Sequence, residues 1–381
     1  MKTKNRKEIF MQIHRVKEGE TLYSIAREYG VSPRKTAEIN GLKNPDRLAV
    51  GRELLILFPR KSYTARRTDT LESISRRFSV EKSEIIKNNP TLSGLEKIYP
   101  EEILCLSYCD QRRSTALTEG YIYKGTPKER ISRALPYLSS LCLSSEVIEG
   151  GRLRSAFNFG RSEIENLGKR CALRVYCPDK YSETDFSSEL LNMLIRKADS
   201  LGVCDITISA RRAMENKGFV NFLSELKNTA EKTTISLECD GKIPEEIARI
   251  ADRLIITDSN NQNPDFYREI SENFGANRIM LDISPFASVD ERPMPIDEAL
   301  SLADEKGAML TENESDRALL GSLYGKKIRI PSMKKTKAKL DLIGELGLLG
   351  ACIDIMRCPV STIMMLSALY ETNPGYFSAG M

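Results

Sequence analysis

HRVKEGETLYSIAREYGVS, residues 14–32, returns as YTARRTDTLESISRRFSVE at residues 63–81. In that alignment Thr21 falls on Thr70, Leu22 on Leu71, Ser24 on Ser73, Ile25 on Ile74, Val31 on Val80 and, further on, Asn40 on Asn89. A repeat of this length means two copies of one small folding unit. Each copy reads β-α-α-β. In the first, residues 13–16 make a short strand, and a turn follows at Glu18, Gly19 and Glu20. Thr21 caps a helix over residues 22–29, where Leu22, Ile25, Ala26 and Tyr29 share one face. Ser32 and Pro33 start a second helix that stops near Asn40 and Gly41. A loop over residues 42–47 leads to a closing strand at 54–57, and the short linker at 59–62 predicts two modules packed close together.

This pattern resembles the LysM domain. Gly19, Glu20, Thr21 and Leu22, the Ser24-Ile25-Ala26 step, Asn40, and the run from Leu48 through Val50, Gly51 and Leu54 carry the resemblance. The second copy departs from it at Thr68-Asp69-Thr70-Leu71, which lacks the glycine, and at Pro100-Glu101 in place of Val50-Gly51. The resemblance implies a shallow groove that binds N-acetylglucosamine polymers such as peptidoglycan. Its residues would be Gly19, Glu20, Thr21, Leu22, Asn44 and Asp46 in the first module, and Asp69, Thr70 and Leu71 in the second.

Beyond residue 120 the pattern changes to strands alternating with helices, which predicts a parallel sheet. Eight strands are expected near Tyr121, Leu141, Leu173, Ile206, Ser236, Ile255, Leu281 and Cys352, with helices at 187–201, 219–230 and 265–274 among those between them. Eight such units predict an α/β fold, a (β/α)8 TIM-like barrel, preceded by the two βααβ modules. An open doubly wound sheet is the runner-up, but no G-x-G-x-x-G follows the first strand. The expected units are 12–59, 61–109 and 117–373.

The order of two such modules and a barrel resembles the spore-associated glycosidases of family 18. GYIYKGTPKER (120–130) matches the opening strand and loop, and LGVCDITISARR (201–212) with FVNFLSEL (219–226) the fourth strand and helix. RIMLDISPF (278–286) matches the seventh strand, and AKLDLIGELGLLGACIDIMRCP (338–359) the segment ending in the eighth. That family carries D-x-x-D-x-D-x-E on the fourth strand. Alternate strand residues point one way, so the last three acids stack on the inward face. The Glu protonates the leaving oxygen while the substrate's acetamido group attacks, an exception to the two-carboxylate scheme. Here the four acid positions hold Cys204, Thr207, Ser209 and Arg211, none of them acidic. The family's Met-x-Tyr-Asp reads Ile255-Ile256-Thr257-Asp258, and the Trp expected after strand eight falls near Asp354. The resemblance therefore implies a catalytically inactive barrel. Glu238, Asp240, Asp258, Asp282 and Asp354 lie near strand C-terminal ends, where a displaced acid would make an active amino-sugar hydrolase, the alternative reading. As ordinary turn acids they need no such role, and this is the preferred reading.

Composition narrows the rest. The chain has 381 residues, a net charge of +4, no Trp and a single His. Residues 1–113 carry a net +8 and the remainder −4, so a basic front suits an anionic wall polymer. One histidine and nine scattered cysteines exclude the usual zinc patterns and Ser-His catalysis, and no metal or cofactor is expected. Cys177, Cys204 and Cys352 read as reduced core residues, which implies synthesis in a reducing compartment. The lysines at 334, 335, 337 and 339 lack interleaved aromatics and read as a solvated loop and helix start, so nucleic acid is not expected as a partner. No apolar run approaches a membrane span, and basic residues 1–12 lack the core of a signal peptide. The expectation is a protein made in a bacterial cytoplasm that ends in a spore envelope or cell wall. A third reading is a structural assembly protein, with spore-coat proteins as possible partners.

Overall fold

The computed structural model describes residues 10–92, 97–108, 114–156, 159–177, 185–210, 214, 216–230, 232–240, 243–257 and 263–372. Arg211 and Asp258, singled out in the sequence, lie outside these residues.

The first module runs β1 (Met11–Arg15), α1 (Leu22–Tyr29), α2 (Pro33–Ile39), β2 (Glu53–Leu57), with β1 and β2 antiparallel. The second repeats it as β3 (Lys61–Thr64), α3 (Leu71–Phe78), α4 (Lys82–Asn88), β4 (Ile103–Ser107). Thr21 and Thr70 each close a capping box with a serine three residues on, Ser24 and Ser73, so both first helices start by the same device. Asn40 and Asn89 each hydrogen-bond into the closing strand through side-chain oxygen and nitrogen.

The modules differ in what covers them. In β2, Leu54 and Ile56 face the module's own core, while Leu55 and Leu57 join the main core of the chain. A strand apolar on both faces must be covered twice, and the second cover is the barrel. Burying each leucine contributes about 1.5–3 kcal/mol. In β4, Leu104 and Leu106 serve a separate small core and Ile103 is exposed.

The barrel strands are β5 (Ser114–Ile122), β6 (Ser140–Glu149), β8 (Arg170–Tyr176), β9 (Asp205–Ser209), β10 (Thr234–Cys239), β11 (Arg253–Ile256), β12 (Ile279–Ile283) and β18 (Gly350–Asp354). All neighbours are parallel, and β18 and β6 both pair with β5, closing the ring. The eight expected strand centres all lie in these strands. A hairpin strand β7 (Arg152–Ser155) extends β6, and β19 (Tyr370–Thr372) pairs with β5. The expected helices appear as Ser188–Leu201, Lys217–Thr229 and Pro264–Phe274.

One element was not anticipated. Between β12 and β18 the chain builds a five-stranded antiparallel sheet from β13 (Ala287–Val289), β14 (Arg292–Met294), β15 (Thr311–Glu312), β16 (Ala318–Leu323) and β17 (Lys326–Pro331). The helix Ile296–Lys306 packs on it. Tyr324 and Gly325, both at positive φ, make the two-residue turn of its long hairpin. This insertion leaves the C-terminal end of a barrel strand and seats itself on the first module: Ala49 belongs to its core, and Val50 pairs with Met309. Glu53 accepts from the backbone N–H of Met333 (2.6 Å) at the start of the helix Met333–Leu346, where a carboxylate complements the helix dipole.

Two expectations are corrected here. Cys204 is exposed, because it precedes β9, where chain still faces solvent, while Cys177 and Cys352 are buried. The lysine run starts a helix, as expected, and Lys334 is exposed, but the run is not without partners: Lys334 and Lys337 pair with acids, and Lys339 donates to the Asp282 carbonyl (2.8 Å). Among the described residues no helix is long and apolar enough to cross a membrane, and no cluster of three metal-ligating side chains occurs.

Candidate functional site

The residues expected to line the groove of the first module differ in exposure. Gly19, Thr21, Asn44 and Asp46 are exposed, and so is Tyr23 beside them, at 67%. The Asn44 side chain accepts from the Asp46 N–H (3.1 Å), shaping the second loop. Leu22 and Leu71 are buried and their side chains serve the module cores. Replacing Leu22 would unfold the module rather than test its groove.

Glu20 and Asp69 are turned inward. Glu20 accepts from His14 Nε2 (2.8 Å) and the Lys17 N–H (2.7 Å), and Asp69 accepts from the Tyr63 hydroxyl (2.6 Å) and the Arg66 N–H (2.7 Å). The same latch thus holds the first loop in both copies: a ring on the first strand, a carboxylate, and a backbone amide. Partial burial alone would raise the Glu20 carboxyl, but the Lys17 amide and His14 hold it below its ordinary value. Tyr63 and the Arg66 amide do the same for Asp69. The second loop of the second module includes residues 93–96, which lie outside the described residues.

At the barrel, Thr207 and Ser209 lie buried on β9, with Ile206 and Ile208 turned outward into the main core. Arg174 on β8 reaches across the interior. It makes two parallel hydrogen bonds to Glu238 on β10 (2.6 and 2.7 Å) and donates to Ser144 on β6 (2.9 Å). Its guanidinium lies 4.9 Å from the Tyr121 ring centre and 6.0 Å from that of Tyr123. Burial alone would raise the Glu238 carboxyl; the charge and the two hydrogen bonds of Arg174 hold it below its ordinary value. A carboxylate held ionised is a poor proton donor.

Glu238, Asp282 and Asp354 are thus strand residues rather than loop acids. Asp354 is buried, and its Oδ1 accepts from the N–H groups of Met356 (2.9 Å) and Arg357 (3.0 Å), capping the turn after β18. Asp282 bonds Ser284, and burial raises both aspartates. Asp240 follows the last residue of β10. Sequence reasoning missed Arg174. The signal was present: Arg174 and Glu238 are charges inside apolar strand runs, CALRVY and ISLEC, and a buried charge needs a partner.

Residues 14–57 and 63–107 match the sequence profile of the LysM domain. They are LysM domains. Part of the chain is also 32% identical over 98 residues to the endolysin of Bacillus phage B103, a span of 24% of this chain and 37% of the endolysin. The chain therefore covers little more than a third of that relative. The whole fold is similar to the spore cortex-lytic enzyme SleL of Bacillus megaterium QM B1551 (TM-score 0.70, 17% identity, 96% of this chain and 99% of the other). The Bacillus cereus SleL is similar too (0.67, 18%, 96% and 100%). The barrel is similar to human YKL-39, described as a pseudo-chitinase with retained chitooligosaccharide binding (0.52, 11%, 66% and 99%).

Proposed function

We propose that the chain binds peptidoglycan or another N-acetylglucosamine-containing glycan through its LysM domains, and that its barrel does not hydrolyse glycans. The observation that carries the reading is an asymmetry of exposure. The first module is docked on the barrel through Leu55, Leu57 and Ala49, yet its groove residues Gly19, Thr21, Asn44 and Asp46 stay open to solvent. Docking that spared the groove supports binding over a purely structural role.

The inactive barrel rests on chemistry. Where family-18 acids would stand, Thr207 and Ser209 offer hydroxyls, which do not deliver protons near neutral pH. Glu238 is tied to Arg174. Loss of general acid catalysis typically lowers rate about 10²–10⁴-fold. The likeness of fold to SleL supports a site of action in a bacterial cell wall or spore cortex.

The test is retention on purified peptidoglycan, run beside an assay of reducing-end release. Retention without release is expected. Absence of retention would overturn the binding reading. Turnover abolished by Glu238→Gln would overturn the inactive barrel and establish the hydrolase alternative.

A further inference from the structure

We infer that Asp304, on the barrel's insertion, sets the shape of the second groove loop of the first LysM domain, so that this glycan site is completed by the barrel while the second domain completes its own. The inference rests on the glycan-binding reading above.

Loop 41–48, which carries Asn44 and Asp46, leaves from Asn40 and returns at Ala49. Asp304 Oδ1 accepts from the Ala49 N–H (2.9 Å), and Asp304 Oδ2 pairs with Arg52. Arg52 in turn donates to the Asn40 carbonyl (3.3 Å). One carboxylate, 255 residues away from Ala49 in the chain, therefore ties both ends of the loop. The pair is sealed, with Arg52 3% and Asp304 7% exposed. The contact around it is close: Leu310 donates to the Val50 carbonyl (2.8 Å), and a Cβ on Gly51 would stand 1.8 Å from the Leu310 oxygen.

The second domain meets the same need differently. Tyr99 aligns with Ala49 and Glu102 with Arg52, and Glu102 itself accepts from the Tyr99 N–H (3.2 Å). The buried Ala49 N–H needs an acceptor, whereas Tyr99 is exposed and its N–H bond only partly buried. In the second domain that acceptor is internal, and at the position of Gly51 stands Glu101, also at positive φ and exposed. In the first domain the aligned position holds arginine, and the acceptor comes from the barrel. A loop fixed before its ligand arrives loses less freedom on binding, which favours affinity.

The experiment uses the full chain and an N-acetylglucosamine hexamer, with hydrogen exchange read on peptides from each domain. D304A should speed exchange over residues 41–48 and weaken binding at the first domain about tenfold, leaving the second domain unchanged. R52E added to D304A supplies the carboxylate as the second domain does, and should recover most of the affinity. Should D304A fail to fold, Asp304→Ser, too short to hold both the Ala49 N–H and Arg52, is read the same way. Unaltered first-domain binding in a folded D304A protein overturns the clamp alone, as does failure of R52E to recover any affinity. An unmodified chain that binds no hexamer overturns the glycan reading and this inference together.

Discussion

Two buried arginine–carboxylate pairs organise this chain, and they differ in what each arginine can do when its partner is lost. Arg174 and Glu238 lie inside one barrel, with the arginine held between strands and against Tyr121. Arg52 and Asp304 lie between two domains. Arg174, with 12% of its side chain exposed, can gain more water only if the barrel opens. Arg52 can reach it if the first LysM domain lifts off the insertion. Breaking a buried pair costs most where the surviving charge has no route to solvent.

The largest expected effect is therefore at Glu238. E238A should destabilise the barrel by about 3–5 kcal/mol, read by urea unfolding. D304A, which breaks the interdomain pair, should cost less, about 1–3 kcal/mol, since Arg52 is rehydrated on opening. It should show instead as protease sensitivity near residues 49–53. Equal losses in the two variants would break the comparison. Replacing both barrel partners, as R174M/E238L, should recover most of the loss, because a buried pair is often no more stable than a well-packed apolar substitute.

Acid sharpens the difference further. The folded Glu238 carboxyl lies below its ordinary value of 4.5, so near and below that pH this group binds more protons in the unfolded chain than in the folded one. The pair's contribution is present above about pH 4.5 and is lost as pH falls through the lowered value. The raised Asp282 and Asp354 give slopes of opposite sign, so the measurement is a difference: stability of the unmodified chain minus that of Glu238→Gln, which should shrink on acidification. A difference that stays constant down to pH 3 would mean that Glu238 does not titrate on unfolding.

These pairs also mark where the sequence could be read and where it could not. The repeat, the capping threonines and all eight barrel strands follow from local pattern, since a helix face or an apolar strand run is written in adjacent residues. The long gap between Leu281 and Cys352 held the insertion, and its Tyr324-Gly325 turn between alternating runs was a hairpin signal passed over. Glu20 and Asp69 stood where groove ligands were expected, yet they latch loops, because their side chains turn toward His14 and Tyr63 rather than solvent. Asp304 had no local signal at all. An acid on a helix looks solvated until the fold brings Arg52 and Ala49 to it.

The smallest expected effect tests whether the interdomain pair makes the first LysM domain part of the barrel's cooperative unit. Thr21 and Thr70 close the same capping box, with Ser24 and Ser73, at the same helix position. Thr21→Ala and Thr70→Ala should each cost about 1 kcal/mol of local stability. They should differ in where that cost appears. The first domain shares the main core through Met11, Ile39, Leu55 and Leu57, whereas the second keeps its own core around Ile74, Ile85 and Leu104. T21A should therefore lower the main thermal transition, and T70A a separate transition of the second domain. In a D304A background the clamp is gone, and the effect of T21A should move out of the main transition as the first domain begins to melt by itself. If T21A and T70A shift the same transition, with or without Asp304, then docking of the first domain does not depend on the Arg52–Asp304 pair, and its apolar contacts with the barrel suffice to hold it.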